Sequence, residues 1–336
     1  MKSRSISPKP SPGSPSLYPM AEIPEDVLLR DGNLWMTLRT LSRIFGEDPT
    51  TLRALVLEGI AAGEIEPCAV ISESDGTALF GLEAVISLGF RLKTERAREF
   101  RGWAARFFSS FVSKGYAIDA ERLKHPEWQL TETNFEELIR RIREIRASDA
   151  RFRGAIEDLV SYHLAGSVEK KEFAERFFNR ARTLLYLAAV HETPAGILLT
   201  RPDHRKADMG IRESNDGRER RIHERDALDP TRYLNSEEYI TLCRWIVMFI
   251  DYLTLQAERR GGLTADDFDH CLTAFLTFHE CRRLTADEKE LDDRNAKAFA
   301  LKELRLYQER ELAITEVSAR PGKDPGTMPS KNLWKE

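Results

Sequence analysis

The chain has 336 residues and a mass of 38.5 kDa, a length that allows two or three modest domains. Apolar residues make up 41% and charged residues 32%, which is enough for a core and excludes a wholly disordered or collagen-like chain. The formal net charge of −4 excludes a histone-like polycation.

The longest uninterrupted apolar runs, 184–190 and 245–250, fall far short of the roughly 18–20 residues that a membrane-spanning helix needs. No apolar stretch follows the N-terminal charges, so no secretory signal is expected. The four cysteines include no Cys-x-x-Cys pair and do not indicate a disulfide framework. We therefore expect a reduced, soluble, cytoplasmic protein without a membrane partner.

In chain order, the sequence predicts a mostly α protein with disordered ends. Residues 1–24 are rich in serine and proline without apolar periodicity, and residues 316–336 are expected to form a second disordered tail. Between them we predict a winged-helix-like (α+β) domain over 30–118 and a larger all-α helical domain over 131–315. A long polar loop over 201–230 interrupts the helical domain.

The first part of the N-terminal domain shows helix-turn-helix spacing. Apolar residues recur at helical intervals from Met36 to Phe45, and Gly46 is placed to end that helix. Asp48 stands at an N-cap position, with Pro49 at the first position of the next helix. This second helix is predicted to end near 59–63 and to turn three apolar side chains inward: Leu52, Leu55 and Val56.

Two short apolar runs follow the predicted helix pair, at 68–71 and 77–80. The turn signal Asp75-Gly76 separates them. Two such runs around an Asp-Gly pair predict a β-hairpin, which is the usual form of a wing.

In a helix-turn-helix unit, the second helix offers its exposed N-terminal side chains to the major groove of DNA. Here those side chains would be Thr50, Thr51 and Arg53. An arginine can bind guanine, and threonines suit a phosphate or a thymine methyl group. The alternative interpretation is a small helix pair and hairpin used only for packing or dimerisation.

Basic residues are concentrated just after the predicted hairpin. From Arg91 to Lys114, seven bases outnumber two acids, so this segment alone carries a charge of +5. The DNA-binding candidates in it are Arg91 and Lys93, ahead of the N-terminus of a predicted helix over 93–114, together with Arg96. The aromatic stripe of that helix favours core packing over stacking on bases.

The pattern over 135–163 is that of an amphipathic helix with alternating bases and acids. Balanced charge along such a helix favours helix–helix packing or a dimer seam over nucleic-acid binding. Self-association through the helical domain is therefore a possible partner interaction.

Several strings occur together in unbroken order between about residues 34 and 278. They are LWMTLRTLSRIFG, GLEAVISLGFRLKTERAREFRGWA, VSKGYAIDAERL, FEELIRRIREIRASDARF, FFNRARTLLYLAAVHETPAGILLTRPDHRKADMGI and RYLNSEEYITLCRWIVMFIDYLTLQAERR. This succession resembles the RhuM family of virulence-associated proteins, which are encoded on bacterial genomic islands and other mobile elements.

The resemblance implies a cytoplasmic protein whose DNA-binding N-terminal part, similar to phage-type regulatory domains, is joined to a helical region. It carries over no catalytic residue. The family typically has a tryptophan-containing segment shortly after a Met-Gly pair, whereas here Met209-Gly210 is followed by a charged run.

The loop 201–208 holds the densest group of reactive side chains. Asp203, His204 and Asp208 could hold magnesium or manganese, and Arg201 or Lys206 could neutralise a phosphodiester, as a nuclease requires. The alternative is a solvated loop or one that caps neighbouring helices, which is the commoner role of such a segment.

A second group consists of His270, Cys271, His279 and Cys281, whose side chains are zinc ligands by type. Their spacing is wrong for a zinc finger, and the segment around them has the pattern of an amphipathic core helix, so no metal is expected there. The chain has no P-loop, dinucleotide fingerprint, nucleophile elbow or HExxH motif, and no cofactor is expected.

These patterns favour a DNA-binding accessory or regulatory protein of a bacterial genomic island or mobile element, rather than an enzyme. Two alternatives stay open. One is a metal-dependent nuclease or effector that uses the 201–208 loop, and the other is a protein–protein interaction module that binds no nucleic acid.

Overall fold

The structure is a computed structural model, and it describes residues 27–30, 33–72, 77–124, 133–164, 169–212, 221–284 and 292–318. The predicted tail 1–24 and all but the first three residues of the predicted tail 316–336 lie outside this part of the chain. The protein is mostly α, with an N-terminal α+β part, as predicted. The chain divides into two compact units between Ile139 and Arg140.

Where the structure describes it, the N-terminal unit contains four strands and five α-helices, and a sixth helix continues from it into the second unit. In chain order these elements are β1 (Leu28–Arg30), β2 (Asn33–Thr37), α1 (Leu38–Phe45), α2 (Pro49–Ala61), β3 (Val70–Ser72), β4 (Ala78–Gly81), α3 (Leu82–Arg91), α4 (Glu95–Lys114), α5 (Ala120–Lys124) and α6 (Thr133–Ala147). The strands form one antiparallel sheet in the order β1-β2-β4-β3.

The two predicted helices and the turn between them are present, but the first helix starts later than predicted. Gly46 ends α1 with a left-handed φ of 69°. Asp48 caps α2, and Pro49 is its first residue, as predicted. Met36, however, belongs to β2, where it pairs with Phe80 of β4. Its side chain is buried as part of that strand. Helix α1 therefore starts two residues later than the apolar spacing indicates.

The predicted hairpin is confirmed as the antiparallel pair β3–β4, in which Ile71 lies opposite Leu79. Its turn, Asp75-Gly76, lies outside the described residues. The hairpin is not isolated, since β4 also pairs with β2. The core of this unit lies between the sheet and helices α1 to α4, and its most buried members include Leu41, Leu52, Ala84 and Leu88.

The second unit is helical. It contains the end of α6 and then α7 (Asp149–His163), α8 (Lys170–Val190), α9 (Pro194–Thr200), α10 (Glu224–Ala227), α11 (Ser236–Arg260), α12 (Ala265–Phe278) and α13 (Asp293–Ser318). Helix α8 packs on α7 and α11, and α9 packs on α13. The largest fully buried side chains of its core are Phe152, Phe177, Phe178, Tyr186, Phe249 and Phe268.

Among the described helices, α11 alone is long and apolar enough, by length and composition, to cross a membrane; its mean hydropathy reaches 1.3. The core helix of a soluble protein has the same properties. Ile246, Phe249 and Leu253 of α11 are buried in the core of the helical unit, which fits that role. One such helix is weak evidence for a membrane protein.

The predicted polar loop 201–230 contains short regular elements where the structure describes it. Residues Ala207–Gly210 form a tight turn in which Asp208 and Met209 have left-handed φ angles of 47° and 58°. Helix α10 follows after residues 213–220, which the structure does not describe. A 3₁₀ turn, Pro230–Tyr233, leads into α11, whose N-terminus carries a capping box between Asn235 and Glu238.

Candidate functional site

The N-terminal end of α2 is exposed, and Asp48 occupies its free backbone donors. The backbone N–H groups of Thr50 and Thr51 donate to Asp48 Oδ2 over 2.9 and 3.3 Å, and the Thr50 hydroxyl donates to the same oxygen. These bonds, led by that of the Thr50 side chain, lower the pKa of Asp48. The side chain of Arg53 is exposed on the next turn of the helix. The three predicted base-contacting residues therefore lie at one exposed helix end.

Arg91 lies at the opposite end of α2. Its Nε and Nη2 donate to Glu64 Oε2 over 3.1 and 2.5 Å, and its Nη1 lies 3.8 Å from Glu58 Oε2. The Arg91 side chain is only 19% exposed. Since ten residues of helix span about 15 Å, Arg91 is far from the capped N-terminus of α2.

Arg96 lies beside the turn that precedes α2. Its Nη1 donates to the main-chain carbonyl of Arg43 in the last turn of α1, and its side chain passes next to Gly46. Lys93 is exposed in the short connection between α3 and α4. The fold thus brings Arg96 to the helix-turn-helix turn, which local sequence spacing does not indicate.

Another basic residue of α4 has a structural role. Nη1 of Arg101 donates to the carbonyls of Gly89 and Leu92 over 3.0 and 2.6 Å. It thereby satisfies acceptors at the C-terminal end of α3, where backbone carbonyls lack helical partners. The charge of +5 between 91 and 114 is therefore divided between structural ion pairs or caps and exposed groups.

In the helical unit, Asp203 is held by its own loop. Its Oδ1 accepts hydrogen bonds from the backbone N–H and Nε of Arg205 over 3.0 and 2.9 Å, and its Oδ2 accepts from Nη2 over 3.0 Å. These hydrogen bonds lower the pKa of Asp203 well below its usual range. Asp203 is therefore ionised at neutral pH.

His204 contacts a glutamate that sequence reasoning missed. The backbone N–H of His204 donates to Glu303 Oε2 over 2.9 Å, and His204 Nδ1 lies 2.7 Å from the same oxygen. Glu303, on α13, is 9% exposed. Burial acts to raise the pKa of Glu303, but the hydrogen bonds and charge of His204 outweigh it, and the pKa is lowered.

Asp208 does not join this group. Its Oδ1 accepts a hydrogen bond of 3.4 Å from the hydroxyl of Tyr307, and its backbone has a left-handed φ of 47°. The next residue, Met209, is also left-handed and fully buried. Among the described residues, the group that gathers metal-ligand atoms is Asp203, His204 and Glu303, whose ligand atoms lie within 4.8 Å of one another.

Arg201 attaches the start of this loop to other parts of the helical unit. It makes a two-pronged ion pair with Glu238, with distances of 2.7 and 2.9 Å, and Nη2 also donates to Glu192 over 2.7 Å. Nη1 further donates to the carbonyl of Tyr233 over 3.1 Å. Arg201 is thus engaged in fixing the loop to α11, rather than directed at a bound phosphodiester.

The group His270, Cys271, His279 and Cys281, for which the sequence predicts core packing rather than zinc, is described in part by the following contacts. Cys271 is buried, as the amphipathic pattern predicts. The His279 ring packs edge-on against Trp245 and Phe275 at 5.0 and 4.8 Å between centroids. Cys281 Sγ lies 3.8 Å from the His279 carbonyl. Cys271 and His279 therefore take part in the packing of the helical unit.

The Virulence protein RhuM family model matches residues 71–315 of the chain. The match begins within β3, so it covers the second half of the N-terminal unit and the helical unit as far as residue 315, and it leaves α1 and α2 outside. No curated protein and no solved structure matches significantly. Because the family model matches well over half of the chain, the protein belongs to the Virulence protein RhuM family.

Proposed function

We propose that this protein is a cytoplasmic DNA-binding accessory or regulatory protein of a bacterial genomic island or mobile element. The observation that carries the proposal is the α1–turn–α2 arrangement, in which the exposed N-terminal end of α2 lies next to the Arg96 side chain. A helix presented in this way fits the major groove, while a neighbouring cation fits the phosphate backbone.

The proposed contacts divide by chemistry. Arg53 is the residue that can read a base, since its guanidinium can donate two hydrogen bonds to guanine. Thr50 and Thr51 lie at the helix end, where they suit phosphates or thymine methyl groups. Lys93 and Arg96 are exposed cations that suit phosphates and position the unit without reading sequence.

The electrostatics of α2 favour a DNA contact that depends on the flanking basic side chains. The carboxylate of Asp48 occupies the N-terminal end of α2, where it offsets the positive end of the helix dipole. A phosphate on the helix axis would meet that negative charge. In this proposal, attraction to DNA therefore comes from the exposed cations Arg53, Lys93 and Arg96.

Self-association through the helical unit is part of the same proposal. Two-fold related copies would present two recognition helices, and their half-sites on DNA would be spaced by about one helical turn or a multiple of it. Sedimentation of the purified protein measures the number of copies directly.

The experiment that tests the proposal is binding of the purified full-length chain to short duplex DNA and plasmid over a salt series, with and without Mg²⁺ or Mn²⁺. We expect binding that weakens steeply with salt, because each phosphate contact releases counterions. Metal-dependent cleavage would instead assign a nuclease or effector function to the 201–208 loop. Failure to bind at low salt would leave the protein–protein interaction module.

A further inference from the structure

We propose that Asp203, His204 and Glu303 form a binding site for a divalent transition-metal ion, with Mn²⁺ and Zn²⁺ as the matching ions. The site lies within the helical unit, between the loop 201–210 and α13. It is independent of DNA binding by the N-terminal unit.

The dimensions of the group suit a single ion. Its three ligand atoms lie within 4.8 Å of one another. Nitrogen and oxygen ligands lie about 2.0–2.2 Å from such an ion, so pairs of them are separated by roughly 3–4 Å. Only small side-chain movements are needed for all three atoms to reach one ion.

The loop is held in place by contacts that do not use these ligand atoms. Arg310 Nη1 donates to the His204 carbonyl over 2.9 Å, and the backbone N–H of Asp203 donates to the Met209 carbonyl over 3.2 Å. The side chain of Met209, in the same loop, is fully buried. Ligands supported in this way are preorganised, because the rigid surroundings already set their backbone positions.

The set of donors selects the class of ion. One imidazole nitrogen with two carboxylates suits Mn²⁺ and Zn²⁺, whereas Mg²⁺ and Ca²⁺ prefer oxygen ligands throughout. Asp203 and Glu303 supply carboxylate oxygens, which are ionised at neutral pH as metal ligands must be. Three protein ligands leave further coordination positions to water, the arrangement of an open metal site.

Two existing interactions must give way to the ion. The ion would replace the hydrogen between His204 Nδ1 and Glu303 Oε2, and the neutral imidazole would keep its proton on Nε2. Arg205 must release the guanidinium hydrogen bonds to Asp203; its own side chain is 78% exposed and can turn into solvent, but the loss of this bidentate pair lowers the affinity for the ion. The charges of Arg205, Lys206 and Arg310 oppose the cation and limit its affinity.

The test is titration of the chelator-treated full-length protein with Mn²⁺, with free Mn²⁺ followed by electron paramagnetic resonance. Mn²⁺ prefers oxygen and nitrogen ligands, so the four free cysteines do not compete for it. We expect one saturable site per chain. Glu303→Gln keeps an oxygen that can accept the hydrogen bond from His204 but removes the charge, and it should weaken Mn²⁺ binding more than about tenfold.

Asp208→Asn is the matched control, because Asp208 lies in the same loop and contacts α13 without belonging to the ligand group. It should bind Mn²⁺ as the wild type does. Absence of saturable binding in the wild type would overturn the proposal. So would wild-type affinity in Glu303→Gln, or an equal loss in Asp208→Asn, which would assign the effect to loop folding. If Glu303→Gln does not fold by circular dichroism, Asp203→Asn takes its place with the same expected loss.

Discussion

The guanidinium of Arg96 donates a hydrogen bond to the main-chain carbonyl of Arg43, and this bond joins the start of α4 to the end of α1. Gly46, which ends α1, lies against the same arginine side chain. The basic start of α4 is therefore placed next to the turn that leads into α2. Arg91, only five residues earlier, is instead tied to Glu58 and Glu64 at the far end of α2.

This difference predicts unequal effects of two arginine substitutions on DNA binding. Arg96→Ala should reduce the slope of log affinity against log salt by about one, because one phosphate contact is lost. Arg91→Ala should leave the slope close to that of the wild type, since that guanidinium is engaged by two glutamates. Fluorescence anisotropy over a salt series measures both. Equal slopes in the two variants would contradict the placement of Arg96 at the DNA.

Two helical glycines should respond in opposite ways to substitution by alanine, because one packs against an aromatic ring and the other faces open space. A Cβ at Gly89 would overlap the ring of Phe100, whereas a Cβ at Gly154 in α7 would meet nothing within 4 Å. Gly89→Ala should therefore lower the free energy of unfolding of the N-terminal unit by about 1–3 kcal/mol. Gly154→Ala should raise that of the helical unit by about 0.5–1 kcal/mol, through helix propensity. Urea denaturation measures both, and stabilisation by Gly89→Ala would contradict the packing.

The aromatic core of the helical unit predicts a large effect at Phe177. Its ring is fully buried and contacts Phe173, Phe249 and Phe268 at centroid distances of 5.8, 6.4 and 5.4 Å. Phe177→Ala should cost about 3–5 kcal/mol, through lost burial and a cavity. Phe278→Ala is the control, because that side chain is 82% exposed and should change stability by less than about 0.5 kcal/mol. Similar losses in both variants, measured by thermal denaturation, would argue against this core.

The ion pair of Arg201 and Glu238 predicts a change in acid stability. Hydrogen bonds from Arg201 lower the pKa of Glu238 below its ordinary value of 4.5. The folded state therefore gains stability that is complete above the unfolded pKa and is lost as the pH falls through the lower folded pKa. Glu238→Gln removes this dependence, so its deficit relative to the wild type should shrink on acidification below the unfolded pKa.

Urea denaturation at a series of pH values measures the deficit. Glu237→Gln is the control, because Glu237 is an exposed neighbour in the same first turn of α11. A deficit for Glu238→Gln that stays constant down to about pH 3 would show that the ion pair does not set acid stability.

Local signals account for what could be predicted of the N-terminal unit. Gly46, Asp48 and Pro49 determine the turn and the start of α2 through their own backbone preferences, so they can be read from the chain. The apolar pattern around Met36 is compatible with either a helix or a strand. Its strand is determined by pairing with Phe80, which is distant in sequence, so local periodicity assigned it wrongly.

The metal-ligand group likewise depends on a contact between residues that are distant in sequence, which a local pattern does not predict. Asp203 and His204 are adjacent in a polar loop and could be identified from residue type alone. Glu303 is ninety-nine residues from His204, within a long amphipathic helix whose pattern does not distinguish it from other charged positions. The packing of α13 on α9 brings it to the loop. Asp208, though close in sequence, is turned towards Tyr307 by its left-handed backbone.

The most direct test of the proposed function is the salt dependence of duplex DNA binding by the double variant Arg53→Glu, Lys93→Glu. The control is Lys171→Glu, which reverses a charge on an exposed lysine of α8 in the helical unit. The account predicts weaker binding by the double variant, with a salt slope lower by about one because Lys93 is the phosphate contact of the pair, and a wild-type slope for the control. Equal affinity and equal slope in the double variant and the wild type would contradict DNA binding through this face of the N-terminal unit.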